Sequence, residues 1–574
     1  MILESFPTGF VPRSIQKELL TEIETNLKSG YKTIVLSAPT GVGKSPIAAT
    51  LARHFGRSFI VTASKQLQDQ YVNDFGFLKP VKGKSNFVCL QLIDHKKLDH
   101  KDEGLAFQLE LTCEKGNCKT STTKNGKKTV EMCKYKPQIG QDQPQDMTQC
   151  HYYAQKYTAL ESDHSLWNYS SYFQLMKYSK ETFAKYVDRP IAIFDEAHTV
   201  ENQIMQFMGI DIYAKNIEDA RIDLKSYNLT DIDMLKTLVE TLGMHYKEET
   251  TKMAQSKVFQ NDPDFIALSK TQSRYERFAK AYVELSANKD NFVISDPKTD
   301  INGDFKSISL VPLDISEYAS EFFDVPVRLF MSATIEKRGF CENMGINPAD
   351  VAYVDAPRSP FLPQNRQVEF LNVRKLSQAS SQEDELSVIK KIDNLMDKHA
   401  EERGLILTSS EKRCHDIKNN LSEKNQKRIR ICHSINEMRK SQSQLLVEHS
   451  ENQNSVLLSS SLWEGVDLKD DLSRFQIIAK TPYPNLGDKR TRIKLKKYPL
   501  WYKSQTIMKI LQGIGRSIRN ENDWAKTYVL DSAAKELLDS WQFMVPKSFH
   551  DIIWPDSNLD LRYPSQTDKS RQKA

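Results

Sequence analysis

Short apolar runs alternate with amphipathic stretches along most of this chain. Residues 33–37, TIVLS, form a β-branched run followed by a glycine-containing turn and the helical pattern PIAATLARHF. SFIVTAS (58–64) predicts a second strand, residues 66–75 a helix, and IAIFDEAH (191–198) a third strand. Strands alternating with helices predict a parallel α/β sheet covered on both faces. The pattern breaks twice. Residues 81–150 are rich in Lys, Thr, Asn, Gly and Gln with weak periodicity, which marks an insertion. Residues 201–295 carry long helical patterns, such as DIDMLKTLVETLGMHYKEET and SRYERFAKAYVELSAN. The sheet resumes near VPVRLFMSAT (325–334). Past residue 365 a second α/β pattern begins, with strands in RGLILTSS, KRIRICHS, NSVLLSSS, RFQIIAKT and KTYVLD and a helix over 500–519.

These breaks divide the chain as follows. A first α/β unit occupies 1–80, 166–200 and 298–360. It is interrupted by a cysteine-rich insertion over 81–165 and a helical one over 201–297. A second α/β unit covers 361–556, and a polar tail 557–574. Composition agrees with this picture: 574 residues, 39% hydrophobic and 27% charged, suit a globular protein with real cores rather than a disordered one. The net charge of +5 permits a basic groove without requiring one. No apolar run is long enough to span a bilayer, and MILESFPTGFVPRS lacks the charged and apolar regions of a signal peptide. The expectation is a cytoplasmic protein with no membrane partner, in a compartment where thiols are free, metal-bound or catalytic.

Five segments carry chemistry. SAPTGVGKSP reads A-x-x-x-x-G-K-S between a strand and a helix, the context of a phosphate-binding loop. Gly41 and Gly43 let backbone N–H groups curl around phosphates, with Ala38 in place of the usual first glycine and Thr40 within the loop. Lys44 supplies a charge to the β- and γ-phosphates, and Ser45 a Mg²⁺ ligand. The bland alternative is a glycine-rich turn with a chance Gly-Lys. In IAIFDEAH an apolar strand delivers two carboxylates at its C-terminal end: Asp195 for Mg²⁺ and Glu196 to polarise an attacking water. His198 lies one turn further on, suited to relaying nucleotide state. Alone, such a pair is often a solvated helix cap. MSAT (331–334) offers small hydroxyl residues to bridge to the second unit. SLWEGVDL (461–468) holds Glu464, Gly465 and Asp467. QGIGRSIR (512–519) sets Gln512, Arg516 and Arg519 at spacings that place them on one helix face, suited to a transferring γ-phosphoryl group. A solvated basic face is the common alternative for that pair.

Cysteine use is lopsided. Cys89, Cys113, Cys118, Cys133 and Cys150 crowd one polar insertion, while Cys341, Cys414 and Cys432 sit near apolar runs as packing residues. Free structural thiols, a Cys₄ zinc site and an iron–sulfur cluster all remain open on spacing alone.

The order APTGVGKS, DEAH, MSAT, WEGVDL, QGIGRSIR resembles the superfamily 2 helicases, and more narrowly the XPD/DinG-like group. KGKSNFVC (82–89) resembles the segment leading to that group's first cluster cysteine, CHYYAQK (150–156) the segment holding its last, and LWNYSSY (166–172) the segment preceding its DEAH strand. PRSIQKELL resembles the segment whose Gln, here Gln16, contacts adenine, with Arg13 nearby. The resemblance spans about residues 10–535 and implies two RecA-like motor domains with an iron–sulfur insertion and a helical arch in the first. It implies ATP and Mg²⁺ in the cleft between them, and a DNA helicase translocating 5′ to 3′ on single-stranded and forked DNA, as a monomer, in a bacterial or phage-infected cell rather than a nucleus. It favours a [4Fe–4S] cluster over zinc, held by Cys89, Cys113, Cys118 and Cys150, with Cys133 as an alternative. One departure is Asp531–Ser532–Ala533, where the group commonly has Asp-x-Arg. The rival readings are an RNA-directed DEAH-box helicase and a non-catalytic nucleic-acid-binding scaffold with a zinc module. For DNA contact the candidates are Lys82 and Lys84 beside Phe87, Tyr152 with Tyr153, and the run KRTRIKLKK (489–497), whose alternative is a solvated loop.

Overall fold

The computed structural model describes all residues except 117, 125–126, 141–148, 256–262, 287–288, 300–302, 378, 433–441, 464–467, 469, 519, 521 and 556–574. The tail expected over 557–574 therefore lies outside the described residues.

Thr33–Ser37, Ser58–Thr62 and Ile191–Asp195 are buried along their whole length, which suits strands covered by helices on both faces. They belong to a seven-stranded parallel sheet. Its spatial order is Val351–Asp355, Thr33–Ser37, Val327–Ser332, Ile191–Asp195, Ser58–Thr62, His164–Asn168, Lys79–Val81. The apolar residues of successive positions feed two separate cores, one on each face. Val35, Phe59, Phe194 and Phe330 point to one, Ile34, Ile60, Ile193 and Leu329 to the other. Phe194 and Phe330, register partners on adjacent strands, stack with centroids 4.9 Å apart.

Residues 82–163 leave this sheet after Val81 and return at His164, and Val81 pairs with Trp167. The excursion holds the helices Leu90–Lys96, Glu103–Gln108 and His151–Glu161 and a hairpin of Lys119–Lys124 with Lys127–Met132. Its small core joins Val88, Leu90, Ile93 and Tyr152 to Cys89, Cys113 and Cys150.

The segment after the DEAH strand is not purely helical. Ile232–Gln255 and Pro263–Ser286 pack on each other, with Tyr246 and Tyr275 stacked at 5.4 Å. At their base, Ile210–Tyr213 pairs antiparallel with Phe305–Pro312, which also pairs with Phe292–Ile294 and Lys298–Thr299. Residues 298–312, assigned from sequence to the first α/β unit, form part of this small sheet, and the large one resumes at Val327, within the VPVRLFMSAT run. Those strands were missed because two of them span only two or three residues, too short for a period to register.

The second α/β unit is a six-stranded parallel sheet ordered Val368–Arg374, Lys526–Asp531, Phe475–Ile478, Gly404–Leu407, Val456–Ser459, Ile429–Cys432. KRTRIKLKK forms the helix Lys489–Lys497, capped by the Asp488 carboxylate on the Thr491 N–H at 2.7 Å. The next helix, Pro499–Ile514, ends five residues earlier than the pattern predicts.

Candidate nucleotide-binding cleft

The phosphate-binding loop follows the strand Thr33–Ser37, next to the edge strand Val351–Asp355, and is anchored by the Ala38 N–H on the Ser332 carbonyl at 2.9 Å. Gly41 and Gly43 have φ of +86° and +85°, where a side chain is strained. A Cβ would also displace neighbours: on Gly41 it would meet the Phe361 ring at 2.2 Å, and on Gly43 the end of the Gln16 side chain, Nε2, at 2.3 Å. The helix Lys44–His54 starts without a side-chain cap, so its first N–H groups face the loop. Lys44 Nζ donates to the Ala38 carbonyl at 3.3 Å. Arg13 donates to the Gly41 carbonyl, and Gln16 Nε2 to the Gly43 carbonyl at 3.3 Å. Both side chains assigned to this end of the cleft therefore rest on the loop itself.

Asp195 ends the strand Ile191–Asp195 and is 2% exposed. Oδ2 accepts from the Tyr71 hydroxyl at 2.9 Å, Oδ1 from the Glu196 N–H at 2.9 Å, and its backbone oxygen from the Tyr169 hydroxyl at 2.9 Å. Burial, then the charge of Glu196, push its carboxyl up to about 6, against the pull of Lys44. Glu196 itself sits at φ +52°, a left-handed conformation uncommon for a residue with a side chain and typical of functional turns. The Glu196 carboxylate is 3.3 Å from His198 Nδ1, and that nitrogen is 2.7 Å from Ser332 Oγ of the MSAT segment. MSAT thus meets the histidine. The oxygen donors Ser45 and Asp195, with the Tyr71 hydroxyl interacting with both, fit a hard divalent cation.

His198, Thr334 and Gln512 line one cavity of about 510 Å³ between the two α/β units. The expectation that Gln512 and Arg516 share a helix face is not met. The helix stops at Ile514, with Gly515 as its C-cap, so Arg516 lies in the following turn. Gly513 explains the close packing there, since a Cβ would meet the Trp463 ring at 2.9 Å. Arg516 is buried and donates to the carbonyl of Trp463, the first residue of WEGVDL. Arg519, Glu464, Gly465 and Asp467 lie outside the described residues.

In the cysteine-rich excursion Cys89, Cys113 and Cys150 are buried and no thiol is in a disulfide. Cys113 Sγ is 3.7 Å from Cys150 Sγ, and the Cys113 thiol also donates to the Val88 carbonyl. Hydrogen bonding with Cys113 lowers the Cys89 and Cys150 thiols, whereas burial raises Cys118 and Cys133, the latter to about 11. The Cys133 N–H donates to the Cys118 carbonyl at 3.1 Å, which brings the hairpin ends together. Among the described residues no three ligating side chains stand in metal-holding geometry. The five thiols still influence one another electrostatically, and as a donor set they fit a group that takes four thiolates.

One of the expected DNA-stacking aromatics is reassigned. Tyr152 is buried, edge-on to Phe87 at 6.1 Å and to Tyr153 at 5.1 Å, so it packs the excursion's core. Lys82 is paired with Asp69 at 2.6 Å. In KRTRIKLKK, Arg490 and Lys494 are buried against Glu201, which corrects both the DNA-exit and the solvated-loop readings for those two residues. Sequence reasoning missed Tyr71, Tyr169 and Glu201. Tyr169 had a signal, in the segment LWNYSSY. Tyr71 and Glu201 had none, because their partners lie far along the chain.

Comparison with known proteins adds to this geometry. Residues 392–551 match the family model described as helicase C-terminal domain, and residues 9–228 that of type III restriction enzyme, res subunit. Two relatives named ATP-dependent DNA helicase YoaA are similar. The one from Haemophilus influenzae is 23% identical, covering 91% of both chains; that from Escherichia coli is 20% identical over 91% of this chain and 92% of its own. Among solved structures, an XPD helicase superposes with a TM-score of 0.58 at 16% identity, covering 92% of this chain and 98% of the other. A second XPD structure, without ligand by its name, gives 0.57 at 15% over the same shares. No helix among the described residues is long and apolar enough to cross a membrane. Two parallel α/β units give the chain the two RecA-like domains of the XPD fold, and its sequence is similar to the two YoaA helicases and to the helicase C-terminal model.

Proposed function

We infer that this chain is an ATP-dependent DNA helicase that travels 5′ to 3′ on single-stranded DNA and opens forked duplexes as a monomer in the bacterial cytoplasm. The observation that carries the reading is the junction of the acid pair with MSAT. Glu196 approaches His198, which approaches Ser332, so the catalytic turn is tied to the strand next to it.

The side chains divide the work as follows. The glycine turn and the first N–H groups of helix Lys44–His54 wrap the phosphates, and Lys44 leaves the Ala38 carbonyl to meet them. Ser45 and Asp195 would hold Mg²⁺, which neutralises phosphate charge when bound. Tyr71 orients Asp195 from behind. Glu196 accepts a proton from the attacking water. Gln512 and Arg516 approach from the second unit, Arg516 by releasing the Trp463 carbonyl. Arg13 and Gln16 border the loop on the side assigned to adenine.

Cys89, Cys113, Cys118 and Cys150 would hold a [4Fe–4S] cluster, with Cys133 as the alternative ligand; such a cluster cross-links a module with little core of its own. Zinc is the competing occupant.

The test uses fluorescent duplexes with a single-stranded tail on one strand. ATP-dependent opening from a 5′ tail is expected. Opening from a 3′ tail alone, or of RNA but not DNA duplexes, would overturn polarity or substrate respectively.

A further inference from the structure

Glu201 lies in the first turn of the helix Val200–Met208, which begins directly after the turn holding Glu196 and His198. It is 7% exposed, yet it is surrounded by donors from one stretch of the second α/β unit. Arg490 Nη2 reaches Oε1 at 2.8 Å, Lys494 Nζ reaches the same oxygen, and Trp501 Nε1 reaches Oε2 at 2.8 Å. The cations are fixed elsewhere too. Arg490 donates to the carbonyls of Pro312 and Leu313 at 2.8 and 3.1 Å, and Lys494 to Asn343 Oδ1 at 3.0 Å. One carboxylate therefore compensates two buried cations, in a cluster whose geometry tolerates little displacement.

The position of this cluster gives it a role. Trp501 stands in the first turn of Pro499–Ile514, the helix that carries Gln512 and leads into Arg516. At 1.5 Å per residue, Gln512 sits about 16 Å along the axis from Trp501. On the other side, Glu201 belongs to the element that continues from Glu196. Two stiff helices thus meet at one carboxylate. One starts beside the acid pair, and the other delivers the second unit's polar groups to the cavity that His198 and Gln512 share.

We propose that Glu201 is a positioning residue for ATP hydrolysis: it seats helix Pro499–Ile514 on the element that carries Glu196 and so sets the reach of Gln512 and Arg516 across the cleft. This rests on the ATP-hydrolysis reading above. Nucleotide binding, which uses the phosphate loop, does not depend on Glu201; turnover does.

The test compares full-length wild type with Glu201→Gln, Trp501→Phe and Glu201→Gln/Lys494→Met, reading ATP turnover with oligodeoxythymidine, fluorescent-nucleotide affinity and thermal melting. Trp501→Phe deletes the N–H donor and keeps an aromatic ring. The double variant removes Lys494, one of the two cations that Glu201→Gln leaves uncompensated, while Arg490 keeps the carbonyls of Pro312 and Leu313. Loss of a hydrogen bond to a charged group predicts a fall in kcat of about tenfold in Glu201→Gln and somewhat less in Trp501→Phe, with nucleotide affinity unchanged. In the double variant melting recovers while kcat stays low. If kcat recovers together with melting, or neither single variant lowers kcat, Glu201 is only a staple and the proposal is wrong. If wild type shows no DNA-stimulated turnover, the ATP-hydrolysis reading itself fails and takes this proposal with it.

Discussion

The Tyr71 hydroxyl donates to Asp195 Oδ2 across 2.9 Å, with both side chains buried. The bond holds one oxygen of the carboxylate, and the same hydroxyl interacts with Ser45. Tyr71→Phe keeps the ring and deletes the donor. The expected outcome is a several-fold rise in the Mg²⁺ needed for half-maximal ATP turnover, with kcat at saturating Mg²⁺ little changed. Titrating turnover against Mg²⁺, and Mn²⁺ binding by magnetic resonance, measures it; an unchanged requirement in both assays removes Tyr71 from the site.

Asp531 stands where relatives commonly begin Asp-x-Arg, and here its carboxylate is a structural staple. It is fully buried and accepts from the N–H groups of Leu376, Thr481 and Ala533 at 3.2, 2.9 and 3.1 Å. Asp531→Ala would orphan three buried donors, which costs on the order of 3 kcal/mol or more. Denaturant midpoints of the variant and wild type should differ by that much. A shift within error would mean that the donors find other partners.

Asp355 ends the edge strand beside the phosphate loop, and burial pushes its carboxyl up to about 6. Its Oδ2 accepts from the Lys547 N–H at 3.1 Å. The folded value lies above the unfolded one, so the fold binds more protons between about pH 4 and 6, and this group's contribution falls as pH rises through that window. At pH 7 the ionised carboxylate costs about 1–3 kcal/mol. Asp355→Asn, which keeps an acceptor for Lys547, should be more stable than wild type at pH 7.5, and the gain should shrink toward pH 4. A pH-independent difference would contradict the assignment.

The thiols of the excursion give an analytical prediction. Protein purified without oxygen should be brown and carry about four iron atoms per chain. Cys113→Ser and Cys150→Ser should lose the iron, and Cys133→Ser should keep it. Colourless protein with stoichiometric zinc would favour the competing occupant.

Local signals made the first sheet and its phosphate loop legible: TIVLS, two glycines at left-handed φ and a helix fit within a dozen residues. The acid pair was legible for the same reason, as an apolar strand that ends in carboxylates. Strands such as Lys79–Val81 and Phe292–Ile294 were not, being too short to show a period. The end of helix Pro499–Ile514 was misplaced because Gly515 stops a pattern that QGIGRSIR continues on paper. The basic run 489–497 read as surface because charge normally stays in water. Its partner Glu201 lies 289 residues from Arg490, and nothing local announces the pair. Long-range compensation of charge was the part of the site that periodicity and motif spacing could not carry.

The most direct measurement of the central claim is ATP turnover by wild type, Lys44→Ala and Glu196→Gln, each with and without single-stranded DNA and with an RNA of the same sequence. The account predicts that DNA stimulates wild type more than RNA does, and that both variants lose turnover at least about a hundredfold while still binding DNA. Turnover retained in Glu196→Gln, or a wild type that no nucleic acid stimulates, would contradict it.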